Sequence, residues 1–276
     1  MSRKYPVDLH IHTTASDGKY TPEEVIRNSA SRGIKVISIT DHDTVDAYED
    51  GKVYSLADEV GIKLVSGIEF SCFFGSRSVH ILGYFIDTAS EELKKAIDIQ
   101  KNERVLRMEK MVRKLHEMGL EKVSFEEIMK TAGSSVGRPH LARHLIEKGY
   151  CKEFTEVFEK YIGEGKPAYV KRGSLSPCDM IGLIHSLGGI SVVAHPKLIG
   201  DDSLLTNLVS CGIDGIEVIC PSHQKSDEYR YSRFAEEHSL LRTGGSDFHG
   251  GNNSECIGTS GMSYKDFLKI IPDDLA

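Results

Sequence analysis

No apolar run in this chain approaches the ~18 residues needed to cross a bilayer, and the opening MSRKYPVDLH enters an extended segment without the apolar core of a signal peptide. Both absences point to a cytoplasmic chain without a membrane partner. Cysteine is sparse and scattered. Cys72, Cys151, Cys178, Cys211, Cys220 and Cys256 form no CxxC pair and no dense framework, so all six are expected to be reduced thiols. A basic excess is missing too: the net charge of −7 excludes a general DNA-coating protein, which depends on phosphate neutralisation by Lys and Arg. Internal repeats and low-complexity stretches are absent. What remains is a chain of 276 residues, 39% hydrophobic, able to bury a substantial core as one barrel-sized domain or as a domain carrying an insertion.

The stretch VDLHIHTTASDGKYTP, residues 7–22, is the most informative. Side chains alternate faces along a strand, so His10 and His12 emerge on the same side, close enough to hold one cation. An isolated HxH is more often a strand end with two solvated histidines. Here, however, candidate partners recur at the ends of later strand-like segments: Asp41 and His42, Glu69, His80, His195, then Asp247 and His249. That recurrence favours a metal site.

Strand and helix patterns alternate along the chain. TPEEVIRNSASRG reads as a helix capped by Thr21, with Pro22 in its first turn and Gly33 at its end. KVISIT at 35–40 reads as a buried strand, followed by a helix at about 44–60 and strands at 62–70 and 80–86, the last with its histidine at the beginning. From about 91 to 170 the rhythm changes to consecutive helices, an insertion that would cap the substrate. The flanking segments 1–90 and 171–276 would form one discontinuous barrel. Residues 100–148 hold eleven Lys/Arg against seven Asp/Glu, a local surplus of four in an acidic chain, which suits a basic lid, although solvated helix faces commonly carry such charges. Alternation resumes with ISVVAHP, GIEVI and LLRTGGSDFHG, giving seven β/α units. Such units imply parallel strands with right-handed crossovers and a site at the C-terminal strand ends. An open doubly wound sheet is the competing architecture, but ligands arriving from nearly every strand favour closure.

Nine residues make up the candidate ligand set: His10, His12, Asp17, His42, Glu69, His80, His195, Asp247 and His249. Imidazole and carboxylate together suit zinc, manganese or iron without selecting one, and the lack of cysteine ligands argues against structural zinc. A carboxylate such as Glu69 can bridge two cations that activate water and stabilise a phosphoryl displacement. Ser16, Ser71 and Cys72 lie near the ligands without the base and orienting group an activated nucleophile needs, so hydroxide from metal-activated water is the expected attacking group. Arg138 and His140 in the insertion, with Lys171 and Arg172 at its return, are candidates for phosphate recognition, since guanidinium offers a planar fork to phosphate oxygens. The alternative for the first two is a helix N-terminus with incidental basic residues. His223 could protonate a leaving oxygen or contact phosphate, although a loop histidine is more often simply exposed.

HIHTTASDG, TDHD, GIEFS, His80, AHP at 194–196 and GGSDFHG, taken in order, resemble the motifs of the PHP (polymerase and histidinol phosphatase) superfamily from end to end. The VGRPHLARHLIEKGY segment is similar to the stand-alone branch that hydrolyses phosphate esters of nucleotides. The resemblance implies a distorted (β/α)7 TIM-like barrel with an inserted helical subdomain and two or three divalent metals. By that likeness His10, His12, Glu69 and Asp247 hold one metal, Glu69, His80 and His195 a second, and Asp17, His42 and His249 a third. Asp17 departs from relatives that have histidine there. The expected substrate is a nucleoside 3',5'-bisphosphate or monophosphate, or short RNA trimmed from its 5' end, with Asp17, Glu69 and His223 at the reacting centre. A histidinol-phosphate-type phosphatase is the enzymatic alternative. A non-catalytic metal-stabilised module docking to a polymerase is the other, and no obligate protein partner is inferred.

Overall fold

Thr21 accepts the Glu24 amide while the Glu24 carboxylate accepts the Thr21 amide, so helix α1 (Pro22–Ser31) starts where its capping signals lie. In the computed structural model, which describes residues 5–75, 77–171, 175–250 and 256–272, seven strands follow one another around a single sheet. They are β1 (Val7–Ile11), β2 (Val36–Ile39), β3 (Lys63–Phe74), β4 (Arg77–Tyr84), β5 (Ile190–Val193), β6 (Gly215–Ile219) and β7 (Leu241–Gly244), in the spatial order of the sequence. The ends of the sheet meet: Ile11 bridges Phe248, and the His12 amide donates to the Phe248 carbonyl at 2.9 Å. A Cβ on Gly245 would lie 2.2 Å from the Cβ of His10, so only glycine lets the chain after β7 close against β1 at the first ligand. The result is a nearly closed, distorted TIM-like barrel.

The strands are not all parallel: β3 and β4 form a hairpin, and β4 runs antiparallel to both β3 and β5. This reversal explains why His80 stands near the start of its strand when the ligands on the parallel strands lie late in theirs or beyond them. The early part of an antiparallel strand lies at the same mouth as the late parts of its parallel neighbours. Thus His80 reaches the level of Ser71, two residues past Glu69.

The expected helix at 44–60 divides into a 3₁₀ turn at Asp46–Tyr48 and α2 (Lys52–Glu59). The insertion is α3 (Glu91–Glu117), α4 (Phe125–Thr131), α5 (Arg138–Glu147) and α6 (Phe154–Val157), which continues into a π-helical turn at Phe158–Ile162. Helices α7 (Pro177–Ser186), α8 (Ser203–Ser210), α9 (Lys225–Glu237) and α10 (Tyr264–Phe267) complete the chain. Helix α3 contributes to two of the apolar clusters. Leu93, Ala96 and Ile97 pack with the barrel, whereas Met108, Met111 and Leu115 pack with Ile128, Leu141 and Val157 of the insertion.

Cys178 on α7 and Cys211 after α8 are joined by a disulfide, so not all six are reduced thiols. Sequence spacing hid the pair because 33 residues separate them, while folding brings their Cα atoms to 5.2 Å. The other four are free and buried. Among the described residues no helix is long and apolar enough to cross a membrane.

Candidate metal centre

The barrel's layering places the polar groups at one mouth. On β3, Val65 and Glu69 share a face, and on β4 so do Tyr84, Leu82 and His80. Val65, Leu82, Tyr84 and Val192 form an apolar cluster below the two polar residues. Beyond the strand ends the backbone turns sharply. Asp43, His195 and Asp247 have φ of 52°, 28° and 48°, a region non-glycine residues seldom adopt. Such strain at three strand ends is a mark of sites where side-chain aim outweighs backbone comfort.

All nine candidate ligands meet at this mouth, and Glu69 lies at their centre with 0% exposure. Its Oε2 is 3.3 Å from His10 Nε2, 3.1 Å from His12 Nε2 and 3.0 Å from His42 Nδ1. Its Oε1 is 2.8 Å from His80 Nδ1 and 3.0 Å from His195 Nε2. Two oxygens of one carboxylate therefore serve two different sets of imidazoles. Asp247 Oδ1 lies 3.4 Å from His10 Nε2 and 3.3 Å from His12 Nε2, and Asp17 Oδ1 lies 3.2 Å from His249 Nε2. The groups overlap: His12 stands with Asp17, His42 and His249 as well as with His10 and Asp247, and His42 stands with Glu69 and His80.

Chemistry of the donor set provides the test of whether a cation fits. His10 Nε2, both nitrogens of His12, His42 Nδ1 and Glu69 Oε2 are buried without a hydrogen-bond partner, although they lie near one another. Converging buried acceptors repel unless protons or cations stand between them. Charge states follow the same logic. Burial alone would lower the His10 pKa, but Glu217, Glu69 and Asp247 hold it well above the ordinary value. Burial would raise Glu69, yet His42, His10 and His80 hold it well below. Burial likewise opposes His249, which Asp17 raises to about 10, whereas burial prevails at His80 and lowers it to about 4. A field that gathers protons this strongly around anionic carboxylates suits divalent metals, and four overlapping groups drawn from the nine residues converge closely enough to hold one.

Several supporting residues escaped the sequence reading. Glu217, buried within GIEVI, approaches His10 Nδ1 at 3.1 Å and accepts the His195 amide at 2.8 Å. It orients one ligand's ring and another's backbone; the available signal was a carboxylate inside an otherwise apolar strand. Asp41, first grouped with the ligands, instead accepts the Thr13 amide and the hydroxyls of Thr13 and Ser16, shaping the turn that carries Asp17. Removing the Glu217 charge as Glu217→Gln is expected to weaken metal affinity by about 10–100-fold, as loss of an outer carboxylate typically does. Calorimetric titration of the chelated protein would check this, and an unchanged Kd would contradict the orienting role.

A cleft of about 140 Å³ joins this centre to the insertion, lined by Asp17, His42 and His80 on one side and Arg104, Arg107 and Arg138 on the other. Arg138 packs over the Phe158 and Tyr169 rings, its guanidinium carbon 5.4 and 5.9 Å from their centroids. The other residues expected to bind substrate are placed differently. His140 Nδ1 accepts the Gly137 amide as a helix cap, and burial lowers its pKa to about 4. Lys171 is exposed and does not line the cleft, and Arg172 lies outside the described residues. His223 Nδ1 donates to the Val218 carbonyl at 2.8 Å, which leaves Nε2 as a buried lone pair without a partner; burial also lowers its pKa. With its pKa lowered the ring stands neutral, and Nε2 is the nitrogen that could exchange a proton.

Comparison with known proteins agrees with the geometry. The PHP domain model matches residues 8–166. A 3',5'-nucleoside bisphosphate phosphatase of Chromobacterium violaceum is 34% identical over 252 residues, covering 88% of this chain and 87% of that protein. A 5'-3' exoribonuclease of Haemophilus influenzae is 32% identical, covering 90% and 91%. A phosphoribosyl 1,2-cyclic phosphate 1,2-diphosphodiesterase of Eggerthella lenta is 30% identical, covering 88% and 94%. Among solved structures, a chain described as a metal-dependent phosphoesterase from Bifidobacterium adolescentis superposes with a TM-score of 0.86 at 25% identity, covering 96% of this chain and 94% of that one. With the ligand constellation at the barrel mouth and relatives that share nearly its whole length, the chain belongs to the PHP domain family and is a hydrolase of phosphoester bonds.

Proposed function

We propose that the chain removes a phosphate from a nucleoside 3',5'-bisphosphate, holding two or three divalent ions of manganese, zinc or iron. The observation that carries this reading is Arg138. It lines the same cleft as Asp17, His42 and His80, stacked on aromatic rings, with no carboxylate paired to it among the described residues. Burial lowers its pKa, the sign of a desolvation cost that the nearby Tyr169 and Glu164 only partly counter. A second phosphate, remote from the one cleaved, would offset that cost with a planar, charge-assisted fork. The name of the Chromobacterium violaceum relative fits such a substrate.

His10, His12, Glu69 and Asp247 would hold one ion, Glu69, His80 and His195 a second, and Asp17, His42 and His249 a third. Bound there, divalent metals supply Lewis acidity to the phosphoryl oxygens and lower the pKa of attacking water. The protein's own part is to hold Glu69 and Asp17 as anions, keep His80 neutral, and fix the substrate through Arg138. The domain arrangement fits the same scheme, with the insertion as the substrate cap over the barrel.

Phosphate release from a panel of nucleoside bisphosphates, monophosphates, 5'-phosphorylated oligoribonucleotides and histidinol phosphate tests the reading. The bisphosphate should give the highest kcat/KM. Arg138→Ala should lower it by about 10–100-fold, the scale of one charge-assisted contact, with a smaller loss on an aryl phosphate that lacks the second phosphate. Equal losses on both substrates would place Arg138 on the reacting phosphate or in a structural role.

A further inference from the structure

Arg104 lies on α3 where the insertion meets the barrel, and it is 9% exposed. Its Nε donates to Asp43 Oδ2 at 2.6 Å, its Nη2 to Ser71 Oγ at 2.8 Å, and its Nη1 to the Val136 carbonyl at 3.1 Å. The Ser71 amide donates in turn to Asp43 Oδ1 at 2.9 Å, closing the network. Each segment touched carries a different part of the site. Asp43 follows His42, Ser71 stands two residues past Glu69 on the same face of β3, and Val136 precedes Arg138 by two residues. One guanidinium thus connects two ligand-bearing strand ends to the loop that presents the candidate phosphate clamp.

The surrounding contacts make this junction tight. Arg143 Nη2 donates to the Asp17 carbonyl at 2.5 Å, and Ser134 Oγ to the Ala15 carbonyl at 2.8 Å. Gly133, with φ of 56°, lies where a Cβ would stand 2.4 Å from the Thr14 carbonyl oxygen. Asp43 is fully buried in a left-handed conformation, and the turn next to His42 is held by the Asp43 amide, which donates to the Glu69 carbonyl at 3.0 Å, together with the ion pair to Arg104.

We propose that Arg104 is a positioning residue that couples the insertion's substrate-recognising face to the ligand-bearing loops of the barrel, so that Arg138's hold on a remote phosphate is expressed at the reacting centre. This rests on the bisphosphate reading above. Binding energy from a remote group raises turnover only if it is transmitted to the reacting atoms, and the rigid, multiply bonded guanidinium provides a path that lysine cannot reproduce.

A double-mutant cycle pairing Asp43→Asn with Arg138→Ala tests the coupling, because Asp43 is buried behind Arg104, and asparagine keeps its shape and tolerates the left-handed turn. With a nucleoside 3',5'-bisphosphate, Arg138→Ala should lower kcat by about 10-fold in the otherwise unaltered protein and by roughly threefold or less when Asp43→Asn is present, so the kcat/KM losses in the two backgrounds differ by the same ratio. The Asp43→Asn loss should fall mainly on kcat. Calorimetry on the chelated protein should show Arg138→Ala weakening bisphosphate binding by similar factors in both backgrounds, since binding persists when transmission is lost. Should Asp43→Asn fail to fold, Arg104→Lys takes its place in the cycle. Additive losses in kcat/KM overturn the coupling alone. Failure of the unsubstituted protein to hydrolyse any bisphosphate overturns the functional reading first, and the coupling with it.

Discussion

Glu69→Gln is expected to lower kcat by about 10²–10⁴-fold, the rate equivalent of the several kcal/mol that Lewis-acid stabilisation supplies. An amide keeps the size of the side chain but carries no negative charge, and one of its two former acceptor oxygens becomes a donor. Five histidine nitrogens surround the two carboxylate oxygens, three at Oε2 and two at Oε1. Whichever way the amide turns, one set faces an NH₂ group. Metal content measured by mass spectrometry should fall with activity, while the far-ultraviolet circular dichroism spectrum should stay that of the parent. Full metal occupancy with near-parental turnover would refute the bridging role.

Chelation should produce the second large effect. Removing divalent metal is expected to abolish phosphate release and to lower the melting temperature. A ligand present at a hundredfold over its Kd contributes about 2.7 kcal/mol, and a domain of this size shifts roughly 2–4 °C per kcal/mol. A decrease on the order of 5–10 °C follows. The physical cause is local: without a cation the converging nitrogens of His10, His12 and His42 and the oxygen Glu69 Oε2 lie buried without partners. Scanning calorimetry with chelator, then with manganese, zinc or ferrous iron restored singly, would measure the shift and rank the metals. A melting temperature indifferent to all three, with activity surviving chelation, would remove the metal from the account.

Residue types and their spacing by themselves pointed to the polar cluster at the barrel mouth and to phosphoester chemistry. Period-two spacing put His10 and His12 on one face, and buried β-branched runs ending in Asp, Glu or His marked the other arrivals; folding then brought all nine to the same mouth. Capping chemistry was equally local, which is why the start of α1 lay where Thr21, Pro22 and Glu24 indicated. The direction of β4 emerged with the fold, because hydrogen-bonding partners rather than side-chain pattern set strand orientation, and His80 at the beginning of its strand was the one visible trace of the reversal. The same holds for Glu217, Asp41 and Arg104. Each acts through a partner between 22 and 207 residues away in sequence, and no local periodicity reports on such distances. The Cys178–Cys211 pair and the sharing of α3 between two apolar clusters follow the same rule. Residue identity dictates what a side chain can do, while the closing of the barrel and the docking of the insertion decide what it meets.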